Sequence, residues 1–124
     1  MRKVGQGSVF VVGALAALTV AVAGAFGGPA KQSAMNVAVT AGKPSEFRFT
    51  LAPRTAKKGV VTFKVANKGA LTHDFKIAGK KTKQLAKGKT ATLRITFKKA
   101  GKYAYLCTLP GHAAGGMKGT LVVK

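Results

Sequence analysis

Residues 103–123 read YAYLCTLPGHAAGGMKGTLVV, and within them Cys107, His112 and Met117 stand at Cys-x4-His-x4-Met spacing. Cys107 is the chain's single cysteine, and His112 is one of two histidines. A thiolate, an imidazole and a thioether are soft or borderline donors, and two imidazoles, one thiolate and a weak axial thioether make up an electron-transfer copper site. The second imidazole must come from His73, the other histidine. The donor set read from the residues is therefore His73, Cys107, His112 and Met117. Zinc competes for the first three, but it has little use for a thioether, so copper is the better match.

The spacing is mechanically sensible. For a sulfur and a ring nitrogen to meet one ion at about 2 Å, the strand carrying Cys107 must stop and turn back within a few residues. Pro110-Gly111 supplies that turn: proline presets φ at the second turn position and glycine accepts the positive φ that follows, as a type II turn requires. Taken singly, each donor has an ordinary explanation. A lone cysteine is often a buried apolar residue or a free thiol, and a lone methionine is core filling, the role expected of Met35. Their coincidence in one pattern is what points to a metal.

With these residues in view, Tyr103 to Val123 resembles the copper loop of cupredoxins, with azurin and auracyanin the nearest in form. Asn67-Lys-Gly-Ala-Leu-Thr-His73-Asp-Phe-Lys-Ile77 is similar to the upstream segment that carries the first histidine in that family. The resemblance implies a Greek-key β-sandwich of about seven to eight strands, one type I copper ion, and ligation by His73, Cys107, His112 and Met117. Three departures matter. Four residues separate His112 from Met117, a spacing like plastocyanin, where azurin-like sequences have three. Thr72 stands where azurin has the glycine whose carbonyl faces the metal, which implies four ligands rather than five. Asp74 stands where the family often has asparagine, and as an acceptor it can still hold loop amides.

The region after residue 30 reads as strands throughout. Phe47, Phe49 and Leu51 alternate with polar neighbours, as do Val61, Phe63 and Val65, and Leu93, Ile95 and Phe97. Period two marks the half-buried strand. Shorter candidates at 36–39, 74–77, 103–107 and 118–123 bring the count to seven. Many short antiparallel strands separated by glycine-containing turns predict an all-β sandwich. Lys80 to Lys87 is the one segment that admits a short helix. Tyr103, Tyr105 and Cys107 share strand parity, so the thiol is expected on the interior side with the rings.

Arg2 and Lys3 precede an uncharged stretch from Val4 to Ala30, and the apolar run from Val9 to Phe26 spans 18 residues. Residues 1–30 are expected to be an export signal or a retained N-terminal membrane anchor, and 31–124 the domain. Export predicts a periplasmic or extracellular protein, or one anchored on the outer face of the cytoplasmic membrane. A single cysteine permits no internal disulfide, so bound metal is expected to supply part of the stability.

The chain carries 22 basic and 2 acidic side chains. Removing Arg2 and Lys3 leaves a net charge near +18, more than solubility requires. Such a surface attracts anionic partners over a range set by salt, about 8 Å at physiological ionic strength. The candidates are an acidic redox protein and an anionic membrane or cell-wall surface. Nucleic acid is disfavoured, since the aromatics fall at core positions instead of interleaving with the lysines. Against this background residues 103–117 carry no charged side chain. That gap predicts a docking face of Leu109, Pro110, Ala113 and Ala114 around the ring edge of His112. The composition supports a monomeric one-electron carrier rather than an enzyme, because four protein ligands leave no open coordination position. An exported copper-buffering or copper-delivery protein is the alternative.

Overall fold

The computed structural model describes residues 34–124. The expected signal or anchor at 1–30 lies outside the described residues. Among the described residues there are nine strands: β1 (Ala34–Ala41), β2 (Phe49–Ala52), β3 (Thr55–Ala56), β4 (Gly59–Asn67), β5 (Lys76–Ile77), β6 (Lys80–Lys81), β7 (Thr90–Phe97), β8 (Gly101–Leu106) and β9 (Lys118–Val123). They form a four-stranded sheet in the order β2-β1-β4-β7 and a five-stranded sheet in the order β3-β9-β8-β5-β6. This is the expected Greek-key sandwich, with no helix among the described residues.

Alternation places the core between the sheets. Val37 and Val39 of β1, Val61, Phe63 and Val65 of β4, Ile95 and Phe97 of β7, and Leu121 and Val123 of β9 are all buried. Each such side chain contributes about 1.5–3 kcal/mol by leaving water. Phe63 and Phe75 link the layers, with ring centroids 5.4 Å apart. Tyr105 joins them from β8, 5.5 Å from Phe75. Tyr103 and Tyr105 pack against this core, and Cys107 is buried on the same side, as their parity predicts.

The pairing is less uniformly antiparallel than the alternation suggests. β1 runs parallel to β4, with Val37 opposite Phe63, and β9 runs parallel to β3. β4 with β7 and β8 with β9 are antiparallel. Lys80 to Lys87 forms no helix: its first two residues pair with β5, and Leu85 exchanges backbone hydrogen bonds with His73 in both directions, at 2.8 and 3.1 Å. The buried Leu85 side chain rewards that extended course, so tertiary packing overrides a local option.

Three connections meet near one another: residues 42–48 between β1 and β2, 68–75 between β4 and β5, and 107–117 between β8 and β9. All four predicted donors lie on the last two.

Candidate metal centre

Cys107 sits one residue past the end of β8, where its N–H donates to the Met117 carbonyl at 3.1 Å and so extends the β8–β9 ladder by a step. The chain then turns. His112 N–H donates to the Leu109 carbonyl at 3.1 Å, and Gly111 has φ of 80°, the closed type II turn expected of Pro110-Gly111. Met117 N–H donates back to the His112 carbonyl at 3.0 Å, which folds 112–117 into a compact loop. Met117 is completely buried in a small cluster with Cys107 and Ala41, covered by Phe47, Phe49 and Leu109.

His73 reaches the same place from the β4–β5 connection. The buried Asn67 organises that loop: its amide donates to the carbonyls of Leu71 and Leu85, and its side-chain oxygen accepts the Gly69 N–H. His73 Nδ1 lies 3.1 Å from His112 Nδ1 and 4.0 Å from Cys107 Sγ, and His112 Nδ1 lies 3.5 Å from that sulfur. Residues 34 apart in the chain, 73 and 107, thus present donor atoms to one point. Two ring nitrogens facing each other at 3.1 Å need a proton or a cation between them. With a sulfur on the third side and a buried thioether in the same cluster, the donor chemistry fits copper.

The chain's two acidic side chains, Glu46 and Asp74, both stand beside these donors. Asp74 accepts the Thr108 N–H at 2.6 Å and the Thr108 hydroxyl, while its own N–H points at Cys107 Sγ, 3.5 Å away. The carboxylate thus ties the two donor loops together, the role expected of it from its acceptor capacity. Glu46, on the 42–48 connection, accepts the N–H groups of Ala70 and Leu71 and lies 2.5 Å from His73 Nε2.

The electrostatics act on the donors in different directions. Backbone N–H bonds from Ala70 and Leu71, reinforced by His73, hold the Glu46 carboxyl down to about 2. Burial lowers the affinity of His112 for a proton, and the neighbouring His73 adds to that effect, which favours the neutral imidazole a metal needs. Burial pushes the Cys107 thiol up, against the hydrogen bonds it receives from Asp74 and Leu109 N–H groups. Without a cation the thiol keeps its proton.

His112 is the exception to burial. Cys107, His73 and Met117 are at most 1% exposed, whereas His112 is only partly covered, with the Phe47 ring edge-on at 5.0 Å. Pro110 and Ala114 around it are exposed, and Leu109 and Ala113 half-buried. Leu71, which donates to Glu46, is the one exposed large hydrophobic among the described residues.

The sequence profile of the cupredoxin-like domain matches residues 10–123. The chain belongs to the cupredoxin-like family. Solved structures agree in fold. Auracyanin from Roseiflexus castenholzii is 23% identical, with a TM-score of 0.57 over 73% of this chain and 96% of its own. Auracyanin A from Chloroflexus aurantiacus, a blue copper protein, is 20% identical, with a TM-score of 0.61 over 74% of this chain and all of its own. Rusticyanin from Thiobacillus ferrooxidans is 24% identical, with a TM-score of 0.62 over 73% and 77%. Comparison with curated proteins returns no match.

Within this cupredoxin-like domain the four residues read from the sequence occupy one end of the sandwich. His73, Cys107 and His112 have donor atoms within 4.8 Å of one another, and Met117 packs against Cys107. Sequence reasoning missed Glu46 and Asn67. Glu46 entered only as a polar neighbour of Phe47, and Asn67 only as the first residue of the segment that carries His73. The usable signal was rarity, since a chain with 22 basic side chains keeps only two acids.

Proposed function

We propose that this protein is a one-electron carrier built on a single type I copper ion held by His73, Cys107, His112 and Met117, working outside the cytoplasm. The observation that carries the reading is the convergence of two Nδ1 atoms and one sulfur within 4.0 Å beside a fully buried methionine. Copper bound there supplies one electron, exchanged between Cu(I) and Cu(II). The residues supply the rest. The β8–β9 ladder and the Asp74–Thr108 tie hold the thiol and His73 in a fixed relation, so little has to move when charge changes. The apolar cover over Met117 and Cys107 restricts water.

Burial also separates this reading from copper delivery. An acceptor protein that takes copper must bring its own ligands to the ion, and three of the four donors are at most 1% exposed. Only His112 reaches the surface. Electrons therefore pass at that ring edge, into a partner seated on Leu109, Pro110, Ala113 and Ala114. The excess of positive charge selects an acidic redox protein, with anionic membrane or cell-wall surfaces as a second class of contact. The charged start and apolar run of residues 1–30 support export.

The test is to load the full-length chain with Cu(II) and record its visible spectrum and reduction potential. An intense thiolate-to-copper band and a reversible potential are expected. Cys107→Ser should abolish the band, His73→Ala should greatly weaken binding, and Met117→Leu should keep the colour while shifting the potential. A colourless loaded protein rules the proposal out. Rapid copper transfer to an acceptor apoprotein, without a reversible potential, favours delivery.

A further inference from the structure

Glu46 is an unusual acid for this chain. Among the described residues the one pairing at ion-pair distance is Glu46 with His73, although the surface is crowded with lysines. A surface carboxylate of ordinary purpose would be expected near one of those lysines or free in solvent, where ion pairs contribute little. Instead this one, partly exposed, lies against the 69–73 stretch and is held by three groups. Ala70 N–H binds one oxygen at 2.8 Å, while Leu71 N–H at 3.1 Å and His73 Nε2 at 2.5 Å share the other. Gly69 leaves it room, because a Cβ there would collide with the carboxylate. Four residues in a row or nearly so, Gly69, Ala70, Leu71 and His73, are thus shaped around one side chain from another connection.

We propose that Glu46 is the positioning residue of the centre: its carboxylate accepts the Nε2–H of His73, commits Nδ1 to face Cys107, and biases a bound copper ion toward its more positive oxidation state. This inference rests on the copper reading above. An imidazole that donates from Nε2 leaves the lone pair on Nδ1, the nitrogen 4.0 Å from the sulfur. A carboxylate behind the ring also raises its strength as a ligand. Negative charge close to the ion stabilises Cu(II) more than Cu(I), so it lowers the reduction potential. His112 has no carboxylate of its own in hydrogen-bond contact among the described residues. The two imidazoles therefore differ in kind: His73 is anchored, and His112 is the exposed ring.

The experiment compares the full-length protein with Glu46→Gln and Glu46→Ala. Glutamine still accepts from His73 but removes the charge; alanine removes both. The copper-loaded Glu46→Gln protein should keep its thiolate-to-copper band and show a higher reduction potential. Glu46→Ala should in addition bind copper about 10- to 100-fold more weakly in competition with a chelator. In the metal-free proteins, nitrogen-15 NMR should find His73 protonated at Nε2 in the parent and lose that preference in Glu46→Ala. An unchanged potential in Glu46→Gln, or an unchanged tautomer in Glu46→Ala, overturns the proposal. Because the tautomer is read without copper, it decides the role of Glu46 even if the parent fails to develop colour, which is the failure of the copper reading itself.

Discussion

Asp74 and Thr108 are joined twice, through the backbone N–H and the hydroxyl of Thr108, so the residue after one predicted donor is fastened to the residue after another. Asp74 is 1% exposed and receives both bonds on separate oxygens. Hydrogen bonds to a charged group contribute about 1.5–3 kcal/mol.

Thr108→Ala removes one of the two bonds and leaves the other oxygen paired, so a loss of about 1–2 kcal/mol in stability is expected. Asp74→Ala strands a donor as well and should cost more, about 3 kcal/mol or above. Denaturant unfolding of the metal-free variants measures both. Equal, negligible losses would show that the loops are held by packing alone.

Glu46 makes stability depend on acidity with a definite sign. Its carboxyl titrates at about 2 in the folded protein, below its ordinary 4.5, so the unfolded chain takes up the proton first. The contribution is complete above pH about 4.5 and is lost as the pH falls toward 2. Unfolding curves of the metal-free protein should shift to lower denaturant across that window. The same series in Glu46→Gln should be flatter.

Loading should release a proton. Burial holds the Cys107 thiol above its usual range, so at neutral pH it enters the reaction protonated and must leave it as thiolate. His112 is biased to the neutral form and has no proton of charge to give up. About one proton per copper is expected at pH 7, read with an indicator dye in weak buffer. Cys107→Ser should release none on exposure to the metal.

Much of this was legible along the chain, and the exceptions have physical reasons. The Cys107–Met117 loop is local: its turn chemistry, spacing and donors lie within eleven residues, and the structure places them as their order predicts. Strand alternation located the core, including Phe63, Val65, Ile95 and Leu121. What alternation misses is pairing partners, and so the parallel contacts of β1 with β4 and of β9 with β3 were not visible. It also misplaced Glu46. Phe47, Phe49 and Leu51 suggested one strand, but β2 begins at Phe49, and Phe47 lies instead edge-on to the ring of His112. Nothing local to Glu46 reports a histidine 27 positions away.

With both carboxylates committed to the donor loops, the remaining side-chain charges are all of one sign. Two copies of the molecule therefore meet as mutually repelling bodies, and the repulsion is strongest in dilute electrolyte. Exchange between twins is slowed while encounters with oppositely charged surfaces are hastened. The same economy that commits the acids to the donor loops thus sorts strangers from siblings before any contact is made.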